Sequence, residues 1–314
     1  MTRITTLTLH PALDVSLSVK RVEPEAKLRC ERPRRDPGGG GINVSRVIAE
    51  FGGETAAVFA AGGHTGDELT SLVSGLAIEF RRIQIEAATR ENITVSEEET
   101  GNQFRFTMPG APLTRSECRE AARVLAEDET DTAMLVISGS LPPQVGPDVY
   151  TTLIHEAMER SVRVVVDTSG DALRAAASAG AFMLKPNRRE LGTLLGRRIA
   201  SDEDAADAAA ELIRSRAAEV VVVSLGDRGA CLVTESGRWF ARNPDVQVVS
   251  AIGAGDSMVA ALSLAFARGS EPSEALRRGV AAGAAAVITP GTELVRRDDY
   301  ERLLGQIHSS EHAA

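Results

Sequence analysis

The chain has 314 residues, 43% hydrophobic and 25% charged, enough to bury a large core in one α/β domain or two smaller ones. Its formal net charge of -9 argues against a general attraction to nucleic acid or anionic membrane, because both need a basic surface. Cys30, Cys118 and Cys231 are scattered and lack a C-x-x-C spacing, which leaves no disulfide framework or zinc site and favours a reducing cytoplasm; nor is there an apolar run of roughly 18 residues to span a bilayer.

Met1 to Asp14 reads as a short strand interrupted by Thr and His, without the pattern of a signal peptide. Four glycines, Gly38 to Gly41, then precede a helix through Arg46 to Glu50. Two stretches, about 15–35 and about 90–108, show strand-like alternation without helices to cover it (Ile93, Val95; Phe104, Phe106) around a turn at Glu98 to Asn102. They predict a small separate sheet that acts as a lid over one edge of a single domain. From Ala133 the pattern becomes βα. Strands at Ala133–Ile137, Arg163–Val166, Phe182–Leu184 and Val220–Ser224 alternate with helices at Asp148–Arg160, Asp171–Ala179, Arg188–Leu195 and Asp202–Arg214. Repeated crossovers of this kind imply a mostly parallel sheet covered on both faces. A strand at Val246–Val249, an apolar helix at Met258–Ala267 and a frayed tail from Ser309 to Ala314 complete the expectation.

The strongest chemical signal is Gly253-Ala254-Gly255-Asp256, opening the helix after the strand at Val246–Val249. Such a turn aims backbone N–H groups and the positive helix end at one spot, where Asp256 could accept the proton of an attacking hydroxyl. A tight turn with a helix-capping Asp is the plain alternative. The glycine run implies that a ligand approaches its backbone closely, and Asn43 beside it could hold hydroxyl groups of that ligand or cap the helix. Asn187 and Glu190, three apart after Lys185, could orient a Mg²⁺–water–phosphate cluster or form a capping box. Ser224 to Gly229 is either a nucleotide loop beyond a strand end or a turn between two strands. The lid segments carry Lys27 and Arg29, then Arg90 and Arg105; Lys27 and Arg29, if on a strand, would share a face and could converge on one anion, or the lid charges could be solvated edge charges.

In order and spacing these motifs resemble the PfkB family of carbohydrate kinases: Asp14, the Gly-Gly-x-Gly-x-Asn loop at Gly38 to Asn43, Asn187-x-x-Glu190 and Gly253-Ala254-Gly255-Asp256. Thr6 to Leu9, Glu25 to Cys30, the four-glycine loop and Ser138-Gly139-Ser140-Leu141-Pro142-Pro143 are similar to the 6-phosphofructokinase branch. Related branches usually carry a Lys where this chain has Gly40. The resemblance implies a ribokinase-like α/β fold with a β-sheet lid, and ATP-dependent phosphorylation of fructose 6-phosphate. Tagatose 6-phosphate and fructose 1-phosphate are the nearest alternative substrates; a nucleoside or free-sugar kinase and a non-catalytic sensor are more distant ones.

It further implies Asp256 as base, with Gly253, Ala254 and Gly255 as anion hole. Asp14, Gly38, Gly39 and Asn43 would hold sugar hydroxyls. Arg90, Lys27, Arg29, Ser138 and Gly139 would surround the sugar phosphate, with the lid residues coming from a neighbouring subunit. Lys185, Asn187, Glu190, Ser224, Gly226, Gly229, Gly283 and Ala286 would contact ATP and its Mg²⁺, Glu190 through water. Potassium would be bound by carbonyls of Ser250, Ile252, Ala286, Thr289 and Gly291, and the chain would form a homodimer through its lids.

Overall fold

A computed structural model of the chain describes residues 2–127, 132–290 and 293–312. In chain order the elements are β1 (Arg3–Thr8), β2 (Ala12–Val19), β3 (Arg34–Gly38), α1 (Gly40–Glu50), β4 (Thr55–Ala61), α2 (Gly63–Ser74), β5 (Glu79–Gln84), β6 (Arg90–Glu97), β7 (Gln103–Thr107) and α3 (Arg115–Ala126). There follow β8 (Thr132–Ser138), α4 (Asp148–Glu159), β9 (Arg163–Asp167), α5 (Gly170–Ala179), β10 (Ala181–Leu184), α6 (Arg188–Leu195), α7 (Asp202–Arg214) and β11 (Ala218–Ser224). The last are β12 (Ala230–Thr234), β13 (Gly237–Ala241), α8 (Ala254–Ala267), α9 (Pro272–Val287), α10 (Arg297–Leu304) and β14 (Ser309–His312).

One sheet has ten strands in the order β14-β13-β12-β11-β10-β9-β8-β1-β4-β5. It is parallel from β11 to β5 and antiparallel across β11, β12, β13 and β14. Its central strands are apolar on both faces because both are covered, while the edge strand β5 is largely polar. Val221 and Val223 enter the layer built with α4 to α7, while Val220 and Val222 enter the layer with α1, α8, α9 and α10. With few aromatic residues, the helices fill these layers with Ala, as at Ala205, Ala208 and Ala209 of α7. The second sheet has the order β3-β2-β6-β7. On one face the register aligns Asp36 of β3, Asp14 of β2 and Asn92 of β6, and it sets Ala12 of β2 opposite Arg90 of β6.

Several expectations need correction. The N-terminal strand does not run to Asp14: it breaks at Leu9–Pro11, where Pro11 lacks an N–H, and the chain crosses to the smaller sheet, with Asp14 inside β2. Lys27 and Arg29 do not lie on a strand, but on the exposed connection between β2 and β3. Helix α1 starts at Gly40, so two of the four glycines are helical and Asn43 is inside the helix, not its cap. Val246–Val249 forms no strand, and the edge of β13 is taken by β14. The amides of Val249 and Ser250 instead donate to the carbonyl of Val287 at 2.7 and 3.1 Å. The tail is ordered as β14 through His312, with 313–314 outside the described residues.

Candidate active site

The C-terminal ends of the parallel strands bring the glycine loop, Ser138, Asp167, Lys185 and Ser224 to one end of the sheet, where α/β folds bind ligands. Glycine is required here by crowding. A Cβ on Gly38 would lie 2.3 Å from Oδ2 of Asp14, and one on Gly40 would lie 2.2 Å from Oγ of Ser138. The loop therefore lies flat between the smaller sheet and the strand end. Gly39 follows with a positive φ of 134°, and Gly139, also at positive φ, donates its amide to the carbonyl of Asp167 at 3.0 Å.

Gly253 caps α8 in the left-handed region, φ 75°, and the first intrahelical bond runs from Ser257 N to Gly253 O at 2.8 Å. The amides of Ala254, Gly255 and Asp256 thus have no intrahelical partner and carry the positive end of the helix dipole. Asp256 stands in this turn. Its Oδ2 accepts from Asn43 Nδ2 at 2.9 Å, so α1 and α8 fix its orientation together. Burial, and then the nearby Asp167 carboxylate, push Asp256 up to about 7, against the opposing effects of Asn43 and Lys185. A base with that value can both take and release a proton near neutral pH.

Lys185 follows β10 and is buried, with Nζ 3.0 Å from Oδ1 of Asp167. Burial alone would lower its pKa, but Asp167, with Glu190 and Asp256 behind it, holds it above the ordinary lysine value. A Cβ on Gly255 would be 3.6 Å from Nζ, so the ammonium lies beside the start of α8. Asp167 was missed in the sequence. Its signal was a carboxylate closing a buried strand, Val164-Val165-Val166-Asp167, but strand-end Asp residues are common turn formers.

Asn187 and Glu190 form a full capping box at the start of α6: Asn187 Oδ1 accepts from Glu190 N at 2.9 Å and Glu190 Oε2 from Asn187 N at 2.8 Å. Burial first, then Asp167, raises the Glu190 pKa. Ser224 bridges to Asn187, and a 3-10 turn at Gly226–Arg228 leads through Gly229 into β12, so this loop is also a connection between two strands. Both plain alternatives are realised, which leaves the ligand roles to chemistry. Gly283 and Ala286 are buried in α9, where Gly283 packs close to the carbonyl of Ala254.

Asp14 Oδ1 accepts from Asn92 Nδ2 at 2.9 Å, and burial raises its pKa. Arg90 donates Nη2 to the carbonyl of His10 at 3.1 Å and Nη1 to that of Met108 at 3.0 Å. Carbonyls hold the guanidinium without neutralising it. Among the described residues Lys27 and Arg29 make no pair with any site group. Ser250 and Thr289 are buried, and Thr289 Oγ1 lies 2.7, 2.9 and 2.7 Å from the carbonyls of Ala286, Glu293 and Leu294. Ile252 donates its amide to Ser250 Oγ, and Gly291 lies outside the described residues.

Comparison with known proteins matches the geometry. The chain is 43% identical over 304 residues to ATP-dependent 6-phosphofructokinase isozyme 2 of Escherichia coli, covering 96% of this chain and 98% of that protein. The solved structure of the Escherichia coli phosphofructokinase-2 with fructose 6-phosphate superposes with a TM-score of 0.92 at 42% identity, covering 98% and 99% of the two chains. Its potassium complex gives 0.94 at 43% identity with the same coverage. A tetrameric inhibited form, TM-score 0.91 at 42% identity with the same coverage, overturns the expectation of a simple homodimer, since that relative assembles further. No helix among the described residues is long and apolar enough to cross a membrane. With its ribokinase-like fold, its glycine loop against Asp14 and its Asp256 turn, and with residues 10–297 matching the pfkB family carbohydrate kinase description, the chain belongs to the PfkB family.

Proposed function

We propose that the chain transfers the γ-phosphate of ATP to the C1 hydroxyl of fructose 6-phosphate, giving fructose 1,6-bisphosphate. The observation that carries this is Asp256, held by Asn43 beside three unpartnered helix amides with its pKa near 7. Asp256 takes the hydroxyl proton, and the amides of Ala254 to Asp256 stabilise charge on the moving phosphate. Asp14, Gly38, Gly39 and Asn43 receive the sugar hydroxyls. Arg90, with Ser138 and Gly139, receives the sugar phosphate, and the smaller sheet acts as a lid that excludes water. Lys185, Ser224, Gly226 and Gly229 line the nucleotide side, with Gly283 and Ala286 behind it.

Glu190, a hard carboxylate near Asp167 whose Oε2 accepts the cap amide of Asn187, suits Mg²⁺ through water. Potassium fits the turn around Thr289: one hydroxyl proton serves one of three carbonyls at 2.7–2.9 Å, which leaves acceptors for a cation together with Ser250 and Ile252. A cation there would add positive charge behind the anion hole. Free Cys30, Cys118 and Cys231 suit a reducing cytoplasm.

The test is phosphorylation by purified protein with MgATP and K⁺, comparing kcat/KM for fructose 6-phosphate, tagatose 6-phosphate, fructose 1-phosphate and fructose. Preference for fructose 6-phosphate is expected. Preference for another phosphosugar moves the substrate but keeps the mechanism, and activity only on fructose removes the role of Arg90.

A further inference from the structure

Asn43 and Arg46 stand one turn apart on the same face of α1. Arg46 Nη1 donates to Asn43 Oδ1 at 3.3 Å, and Asn43 Nδ2 donates to Asp256 Oδ2 at 2.9 Å. The two ends of the amide are thereby fixed. Turning it over would set its NH₂ against the guanidinium and its oxygen against the carboxylate, two repulsions in place of two bonds. Arg46 is itself largely withdrawn from water, among Asp36 and Arg34 of β3, Asp14 of β2 and Asp256 of α8. Asp167 of β9, Lys185 and Asp14 also act on Asp256.

We infer that Arg46 is a positioning residue for phosphoryl transfer, acting through Asn43 to hold the Asp256 carboxylate in line for the acceptor hydroxyl. The inference rests on the kinase reading above. A guanidinium that only neutralised the surrounding carboxylates would support stability and sugar affinity, but its removal would not be felt through Asn43.

The experiment is a double-mutant cycle of Arg46→Met and Asn43→Ala, with Arg46→Lys as the conservative variant. Arg46→Met should lower kcat about tenfold to a hundredfold, the scale of a misplaced catalytic group, while KM for ATP stays within about twofold. In the Asn43→Ala background the same change should cost no more than about a further twofold, because its route is already cut. Arg46→Lys should recover part of kcat. Unchanged kcat in Arg46→Met, or losses that multiply in the double variant, would overturn the inference. If Arg46→Met does not fold, the cycle is run with Arg46→Gln and read in the same way. Wild-type turnover separates the two readings: failure on fructose 6-phosphate sinks the substrate, and the cycle is run on the phosphosugar that is turned over. A crystal structure of the Arg46 variant needs no turnover. An Asn43 amide rotated away from Asp256 supports the relay, and an unmoved contact refutes it.

Discussion

Asp256 carries a charge that its surroundings resist. Because its folded pKa is raised to about 7 from 3.8, kcat/KM should climb as pH rises through about 7 and the base loses its proton. The same shift has a stability consequence of definite sign. The folded state holds this proton more tightly than the unfolded chain, so the contribution is fully present below about 4 and is lost as pH rises through about 7. Asp256→Asn should therefore slow kcat by about 10²- to 10⁴-fold yet melt at a higher temperature than wild type at pH 8. Scanning calorimetry at pH 8 and pH 4 checks this, since the difference should shrink towards pH 4. Arg90 differs in kind, being held by carbonyls with no carboxylate bonded to it among the described residues. Arg90→Ala should raise KM for fructose 6-phosphate by about 10- to 100-fold, the scale of lost charged hydrogen bonds, while leaving turnover of unphosphorylated fructose nearly unchanged. Initial rates with both acceptors decide it.

Among the elements, the glycine loop is the tightest joint. Gly40→Ala would drive a methyl into Ser138 and should cost about 1–3 kcal/mol by overpacking, seen in urea unfolding, with a loss of sugar affinity. The capping box gives a contrasting case: Asn187→Ala should cost about 0.5–2 kcal/mol as a lost cap, and any loss of ATP affinity beyond that measures its ligand role. Legibility in the sequence followed locality. Helices α6 and α7 agree with their expected bounds because both carry N-cap residues in their own sequence, Asn187 and Ser201. The 163–184 strands were readable as β-branched and apolar runs buried on both faces. Val246–Val249 carries the same composition but joins no sheet; its end is tied instead to the C-terminus of α9, through Val287 some 40 residues later. The start of α1 at Gly40 was hidden for a related reason: glycine is a poor helix former, and only the approach of Ser138 requires it there. Site residues at turns were visible, while Asp167, Arg46 and Asn92 become apparent only when strands and helices meet.

For the whole molecule, the proposed reaction draws on both sheets: the smaller one carries Asp14 and Arg90, while the end of the larger one carries Lys185 beside Asp256 at the start of α8. Replacing K⁺ by tetramethylammonium should lower kcat, since the Thr289 turn would lose a cation behind the anion hole; assays at constant ionic strength test this. The spatial order of the large sheet adds one more point. β1 lies inside it, β4 and β5 extend it one way, and β8 through β14 extend it the other way in strict succession. Each strand docks beside one already made, so growth on the ribosome can proceed outward from a first-formed seed, with no vacant slot held open for a later arrival.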